Sequence, residues 1–140
     1  MKRILVDASI TANWLLREIY TPTTEWVIDR IRNGDQVSVP NLWLLEMTNV
    51  IFNAERRKRI DREQRAIALE QIERLPFIIL PAPTLADLKI LSHYAEKHQL
   101  TAYDAEYLRV AKEQKLVLAT LDGNLMAAAK REKVQIAHSI

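Results

Sequence analysis

The 140-residue chain is 49% hydrophobic, and its 20 Lys and Arg against 18 Asp and Glu leave a net charge of +2, which fits one compact domain, residues 1–140, with a full core. The absence of cysteine excludes disulfides and thiolate metal sites and makes a reducing compartment the natural setting. Asp7 stops the apolar run Ile4, Leu5, Val6 before it could serve as a signal peptide, and no segment approaches the ~20 apolar residues of a membrane span, so a cytoplasmic location with no membrane partner is expected.

Taken in order, Lys2 to Val6 reads as a buried strand ending at Asp7. A helix from Ser9 to about Arg17 turns Ile10, Trp14 and Leu15 inward. Thr21 and Pro22 form an N-cap and N1 pair for a helix through Trp26, Val27 and Ile31, stopped by Asn33 and Gly34. Gln36 to Val39 is a second strand, and Pro40 and Asn41 open a helix from Leu42 to about Arg56. Residues 55–65 hold six basic and three acidic side chains. Asp61 with Gln64 forms a capping box for a helix whose apolar side is Ile67, Leu69 and Ile72. Phe77 to Leu80 is a third strand, closed by Pro81 and Pro83, and Thr84 caps a helix through Leu88, Leu91 and Tyr94 to about His98.

Thr101 is the next N-cap, placing Asp104 at N3 of a helix that carries Ala105, Leu108, Val110 and Ala111 and runs to about Gln114. Leu116 to Ala119 is too short an apolar run for a helix and suits an interior strand, with Thr120 and Asp122 just past its end. A helix from Gly123 to Arg131 and a fifth strand, Val134 to Ala137, complete the chain. Strands alternating with helices indicate a parallel, doubly wound α/β sheet.

Four acids then acquire a common address. Asp7 and Asp122 follow strands, and Glu46 and Asp104 lie near the starts of helices, so all four face the carboxyl rim where open α/β folds bind ligands. Each has a plainer role to weigh: Asp7 and Asp122 as helix caps, Asp104 as complement to a helix dipole, Glu46 as half of a buried ion pair. Glu46 is the oddest, because Leu42, Trp43 and Val50 surround it on its helix and desolvate its charge. No Lys or Arg adjoins any of the four in these stretches. Crowded carboxylates repel, and a divalent cation relieves that repulsion. All-oxygen ligation suits Mg²⁺ or Mn²⁺, and such an ion supports phosphodiester hydrolysis. Setting the four aside leaves 20 basic against 14 acidic side chains, a surface suited to a polyanion.

The stretches VDAS at Val6–Ser9, LLEMTNVI at Leu44–Ile51, LTAYDAEYLRVA at Leu100–Ala111 and LATLDGNLMAAAK at Leu118–Lys130 resemble, in order, those of PIN-domain nucleases, and most of all the VapC-type toxins of toxin–antitoxin pairs. The resemblance implies a three-layer α/β/α fold with a central, mainly parallel five-stranded sheet. It implies an Mg²⁺- or Mn²⁺-dependent endoribonuclease, commonly dimeric and silenced by a small antitoxin. It assigns Asp7, Glu46, Asp104 and Asp122 to catalysis and the metal, with Ser9 and Thr120 in support. Some relatives carry a further acid after the fourth, where this chain has Gly123 and Asn124, and Asn124 can coordinate without adding charge.

Among the remaining residues, the run Arg56, Arg57, Lys58, Arg59 is the candidate for RNA backbone contact, set against a solvated helix junction with internal ion pairs. Tyr103 is a stacking candidate. Trp14, Trp26 and Trp43 read as core or dimer packing, and the apolar surplus around Trp43 and Met47 implies a homodimer. His93, His98 and His138 show no ligand spacing and read as surface residues. A phosphotransfer domain would require an acid where Ser9 stands, and a receiver-like domain an acid in place of Leu80 and Pro81. The non-enzyme alternative is an RNA-binding or scaffold module that keeps the acids for stability.

Overall fold

The computed structural model describes residues 2–17 and 19–137 of the protein. Its elements are β1 (Arg3–Val6), α1 (Ala8–Leu16), α2 (Pro22–Arg32), β2 (Gln36–Val39), α3 (Trp43–Arg56), α4 (Arg62–Glu73), β3 (Ile78–Ile79), a 3₁₀ turn (Leu85–Asp87), α5 (Leu88–His98), α6 (Ala102–Gln114), β4 (Val117–Ala119) and α7 (Gly123–Arg131). The strands are parallel in the order β3-β2-β1-β4.

The strands' two-residue side-chain period divides the core in two. Ile4, Val6, Val37, Val39, Val117 and Ala119 pack with Ile10 of α1, Val27 of α2 and Trp43 and Met47 of α3. Leu5 and Leu118 face the other way, toward α5, α6 and α7. Helices therefore cover both faces, as the three-layer expectation requires. Among them α6 is the most enclosed, with every residue from Ala105 to Ala111 buried. Among the described residues no helix is long and apolar enough to cross a membrane.

Among the described residues the sheet has four strands, not five. Val134 and Ile136 are buried, but beside β4 the chain forms a single bridge, Leu118 with Ile136. Among the described residues only Leu118 is bracketed by backbone hydrogen bonds, donating to Gln135 and accepting from Ala137, too short a pairing for a ladder. β3 shrinks to two residues because it is an edge strand with Ile78 and Ile79 about 40% exposed. Similarly, Ile67 and Leu69 of α4 are largely exposed and Ala68 is that helix's buried residue. The residues behind the dimer expectation also lie elsewhere than foreseen. Trp43 and Met47 are core, with the Trp43 Nε1–H donating to Thr11 at 3.1 Å, while the apolar surplus of α3 is Leu44, Leu45 and Phe52 on its outer side.

The N-caps follow the sequence closely. Thr21, Asp61 and Thr101 each accept the backbone N–H three residues on, and Gln64 closes its capping box. The C-termini also fall where expected, at Arg56, His98, Gln114 and Arg131, but α3, α5, α6 and α7 all run into a left-handed residue that is not glycine: Lys58, Gln99, Lys115 and Lys133, with φ between 53° and 59°. In each, the next residue's N–H reaches back to close the turn, as Leu116 does to Ala111 at 2.9 Å. That conformation costs a side chain roughly 1 kcal/mol that glycine avoids. Lys115→Gly, at an exposed position, is expected to stabilise the fold by about 1 kcal/mol, read as a rise of about 3–5 °C in Tm.

Candidate active site

β1 has β2 on one side and β4 on the other, so the sheet's topological switch point lies between the carboxyl ends of β1 and β4. Asp7 sits at the first of these ends and Asp122 just past the second. Both do serve as caps. Asp7 Oδ1 accepts from the N–H groups of Ser9 (3.1 Å) and Ile10 (3.3 Å), and Asp122 Oδ1 accepts from Leu125 N–H at 3.0 Å. Capping leaves Asp7 far from ordinary, because it is only 6% exposed and takes two further hydrogen bonds, from the Ser9 and Thr120 hydroxyls. Ser9 Oγ in turn accepts Leu121 N–H at 2.9 Å, and Thr120 Oγ1 accepts Asp122 N–H at 3.0 Å. Ser9 and Thr120 thus tie the two strand ends together around one carboxylate.

Glu46 and Asp104 arrive from opposite layers, on α3 and α6. Both are half-buried. Asp104 stands at N3 of α6, its own N–H donating to Thr101 at 3.1 Å. The Tyr107 hydroxyl donates to Glu46 Oε1 at 2.7 Å, bridging the layers. Burial pushes the Asp7, Glu46 and Asp104 carboxyls above the usual carboxylate range. Like charge adds to it: Asp7 and Asp104 act on Glu46, and Asp122 acts on Asp104. The four acids therefore form one electrostatic chain from β1 through α3 and α6 to β4. Among the described residues, none of the four is in an ion pair with Lys or Arg. The ion-pair reading of Glu46 gives way to a phenol hydrogen bond.

A family model described as the PIN domain matches residues 4–131, which takes in all four acids. The chain belongs to the PIN-domain family. Two solved structures share its fold. One is PAE2754 from Pyrobaculum aerophilum, 26% identical, covering 91% of this chain and 84% of that one with a TM-score of 0.70. The other is FitAcB from Neisseria gonorrhoeae, 18% identical, covering 95% of each chain with a TM-score of 0.67. No curated protein matches the chain in sequence.

In this PIN domain the all-carboxylate donor set suits a hard divalent cation. The side chains as they stand do not yet form the site, since among the described residues no three acids or histidines are grouped to hold a metal. A cleft of about 780 Å³ meets the acids only at its edge, through Ser9 and Leu121. Asn124 is exposed in the first turn of α7, two residues beyond Asp122. Tyr103 is 65% exposed beside Asp104. The basic run divides: Arg57 and Arg59 line the cleft, Lys58 lies in a neighbouring hollow, and the Arg56 guanidinium sits 5.6 Å from the Phe52 ring centre.

Two features escaped sequence reasoning. His98 is buried, not a surface residue. Its Nε2 lies 2.7 Å from Glu132 Oε2, and Lys97 and Lys112 reach the same carboxylate at 2.8 and 2.6 Å. His93 is exposed, and His138 falls outside the described residues. Tyr107 is the second. Its available signal is a position one helical turn after Asp104, among buried neighbours. Burial and the adjacent Glu46 charge hold its hydroxyl far above the usual phenol range, so it is a permanent donor, and the Ala8 N–H also faces its oxygen. Tyr107 positions Glu46. Under the nuclease reading proposed below, Tyr107→Phe is expected to lower kcat for cleavage about 10- to 100-fold, with the fold retained by circular dichroism.

Proposed function

We propose that the protein is an Mg²⁺- or Mn²⁺-dependent endoribonuclease, the cytoplasmic toxin of a toxin–antitoxin pair, with residues 1–140 acting as one PIN unit. The family supports the coarser half of this reading, because PIN domains are generally nucleases. The observation that carries it is the chain of four mutually repelling acids with no cation among the described residues to balance them. A protein retaining such acids for stability alone would pair them.

In this reading Asp7, Glu46, Asp104 and Asp122 hold the metal, which supplies a lowered water pKa and neutralises charge on the reacting phosphate. Ser9 and Thr120 fix the Asp7 carboxylate by hydrogen bonds, Tyr107 fixes Glu46, and Asn124 adds a neutral oxygen next to Asp122. Half-burial of Glu46 and Asp104 strengthens their hold on a cation, since their charges are poorly screened by water. The antitoxin partner follows from the VapC-like motifs. The homodimer rests on the exposed apolar residues of α3, Leu44 42%, Leu45 73% and Phe52 47% exposed.

The test is incubation with single-stranded RNA and Mn²⁺, with and without chelator. Cleavage is expected only with the metal and only by the unsubstituted chain, not by Asp104→Asn. Cleavage that persists in chelator, or in Asp104→Asn, contradicts the assignment.

A further inference from the structure

The cleft beside the acids has a composition the cleavage chemistry does not account for. Three guanidinium groups border it, Arg17 from the end of α1 and Arg57 and Arg59 from the turn after α3, and no Asp or Glu lines it. All three arginines are exposed, and among the described residues none has an ion-pair partner. Arg65 finds Glu55 at 3.2 Å and Arg109 finds Glu106 at 2.6 Å, while other exposed bases such as Arg62 and Arg74 are also in no ion pair among the described residues. What sets the cleft apart is the convergence of three guanidinium groups. Three cations around one concavity with no acid in its lining point to an anionic ligand.

Local structure holds these groups in place. The left-handed Lys58 folds the chain back so that Arg59 N–H bonds Ala54 at 2.9 Å; Arg57 lines the cleft, Arg59 stands between the cleft and the next hollow and lines both, and Lys58 lines the hollow alone. Asn13 accepts Thr21 N–H at 3.0 Å and donates to Ile19 at 3.2 Å, bracing the loop that follows Arg17. Asn53 lines the same wall with an exposed amide, a group able to read a base edge. At about 780 Å³ the cleft falls in the range that buries a nucleotide-sized ligand, roughly 300–1,000 Å³.

Its position decides what kind of anion. Ser9 and Leu121 form its end wall. Ser9 is hydrogen-bonded to Asp7, and Leu121 lies between Thr120 and Asp122. A chain whose phosphate lies at the acids must, on this side, continue past Ser9 and Leu121 into the cleft. We propose that the α1–α3 cleft is an extended subsite for single-stranded RNA, in which Arg17, Arg57 and Arg59 bind the backbone phosphates next to the scissile one and Asn53 contacts a base. The proposal rests on the reading that the four acids cleave RNA. It adds a one-sided footprint and narrows the basic run to two of its members plus Arg17.

The experiment measures anisotropy of a labelled 12-nucleotide RNA in chelator, where binding is separated from cleavage, across a salt series. Each neutralised arginine is expected to reduce the slope of log affinity against log salt by about 0.7. The triple variant Arg17→Gln, Arg57→Gln, Arg59→Gln is thus expected to lose about 2 from the slope and at least about tenfold in affinity at low salt, with Tm unchanged. Arg131→Gln, at an exposed arginine outside the cleft, is expected to change neither. A triple variant with the unsubstituted slope, or an unsubstituted protein that does not bind the RNA, overturns the proposal. So does loss of binding to a poly-glutamate peptide by the triple variant with the RNA slope intact, which would assign the cleft to an acidic protein segment. Cleavage on adding Mn²⁺ is scored separately, so normal cleavage with an unchanged slope removes the cleft alone, and slope loss without any cleavage removes the nuclease reading alone.

Discussion

Glu46→Gln is expected to lower RNA cleavage at least about 100-fold while leaving the fold intact, and in metal-free buffer its Tm should equal or exceed that of the unsubstituted protein. The substitution is nearly isosteric, and the Tyr107 hydroxyl, 2.7 Å from Oε1, can donate to a carboxamide oxygen as it does to the carboxylate. What is lost is one negative charge at a half-buried position that already feels Asp7 and Asp104. In metal-free buffer that charge is a liability to the fold, because burial and like charge both oppose it. With metal present the same charge is a ligand, and losing a ligand or its orienting partner removes orders of magnitude of activity. Activity and stability therefore move in opposite directions. A stability loss of the ~3–5 kcal/mol typical of a broken buried ion pair would show that Glu46 has a structural cation, and would remove it from the site.

The largest expected loss of stability lies outside the hydrogen-bond network around Asp7. Arg109→Ala should destabilise the protein by about 3–5 kcal/mol. The Arg109 guanidinium grips Glu106 at 2.6 and 2.9 Å, reaches Glu113 at 2.9 Å and lies 3.5 Å from Asp87. Glu106 is 2% exposed, so deleting the arginine leaves a buried carboxylate without its cation. Glu106→Gln is expected to be milder, since Glu113 and Asp87 still hold Arg109. Replacing both Glu106 and Arg109 by Leu should recover much of the loss, because two apolar side chains need no mutual compensation. Chemical denaturation of the three variants measures all of this. If Arg109→Ala costs less than about 1 kcal/mol, the pair does not hold α6 against the turn carrying Asp87.

Those two residues also mark where the sequence stops being legible. The caps of α2, α4 and α6 could be read directly, because Thr21, Asp61 and Thr101 bond to backbone only three residues away. The shared rim of the four acids was legible too, since strand ends and helix starts fall together in any parallel α/β sheet. Partnerships across the chain were not. Tyr107 meets Glu46 across 61 positions and His98 meets Glu132 across 34, and no local pattern reports either. The ends of α3, α5, α6 and α7 were legible, at Arg56, His98, Gln114 and Arg131, but their left-handed closing residues were not, because Lys or Gln stands where glycine is the usual sign. The fifth strand failed on length, a quantity that apolar residues alone do not set.

In the proposed site Asp7, Glu46, Asp104 and Asp122 together hold the divalent metal. Calorimetric titration of Mn²⁺ into the unsubstituted protein and into Asp104→Asn tests it most directly, because it reads the metal without RNA, antitoxin or turnover. Asp104 is the informative position: apart from its place at the start of α6 it has a side-chain hydrogen bond with Thr101, and its backbone N–H keeps the Thr101 bond after substitution. The expected result is saturable Mn²⁺ binding by the unsubstituted chain and at least about tenfold weaker binding by Asp104→Asn, with both folded at the titration temperature. Equal Mn²⁺ binding by the two proteins, or none by either, would contradict it.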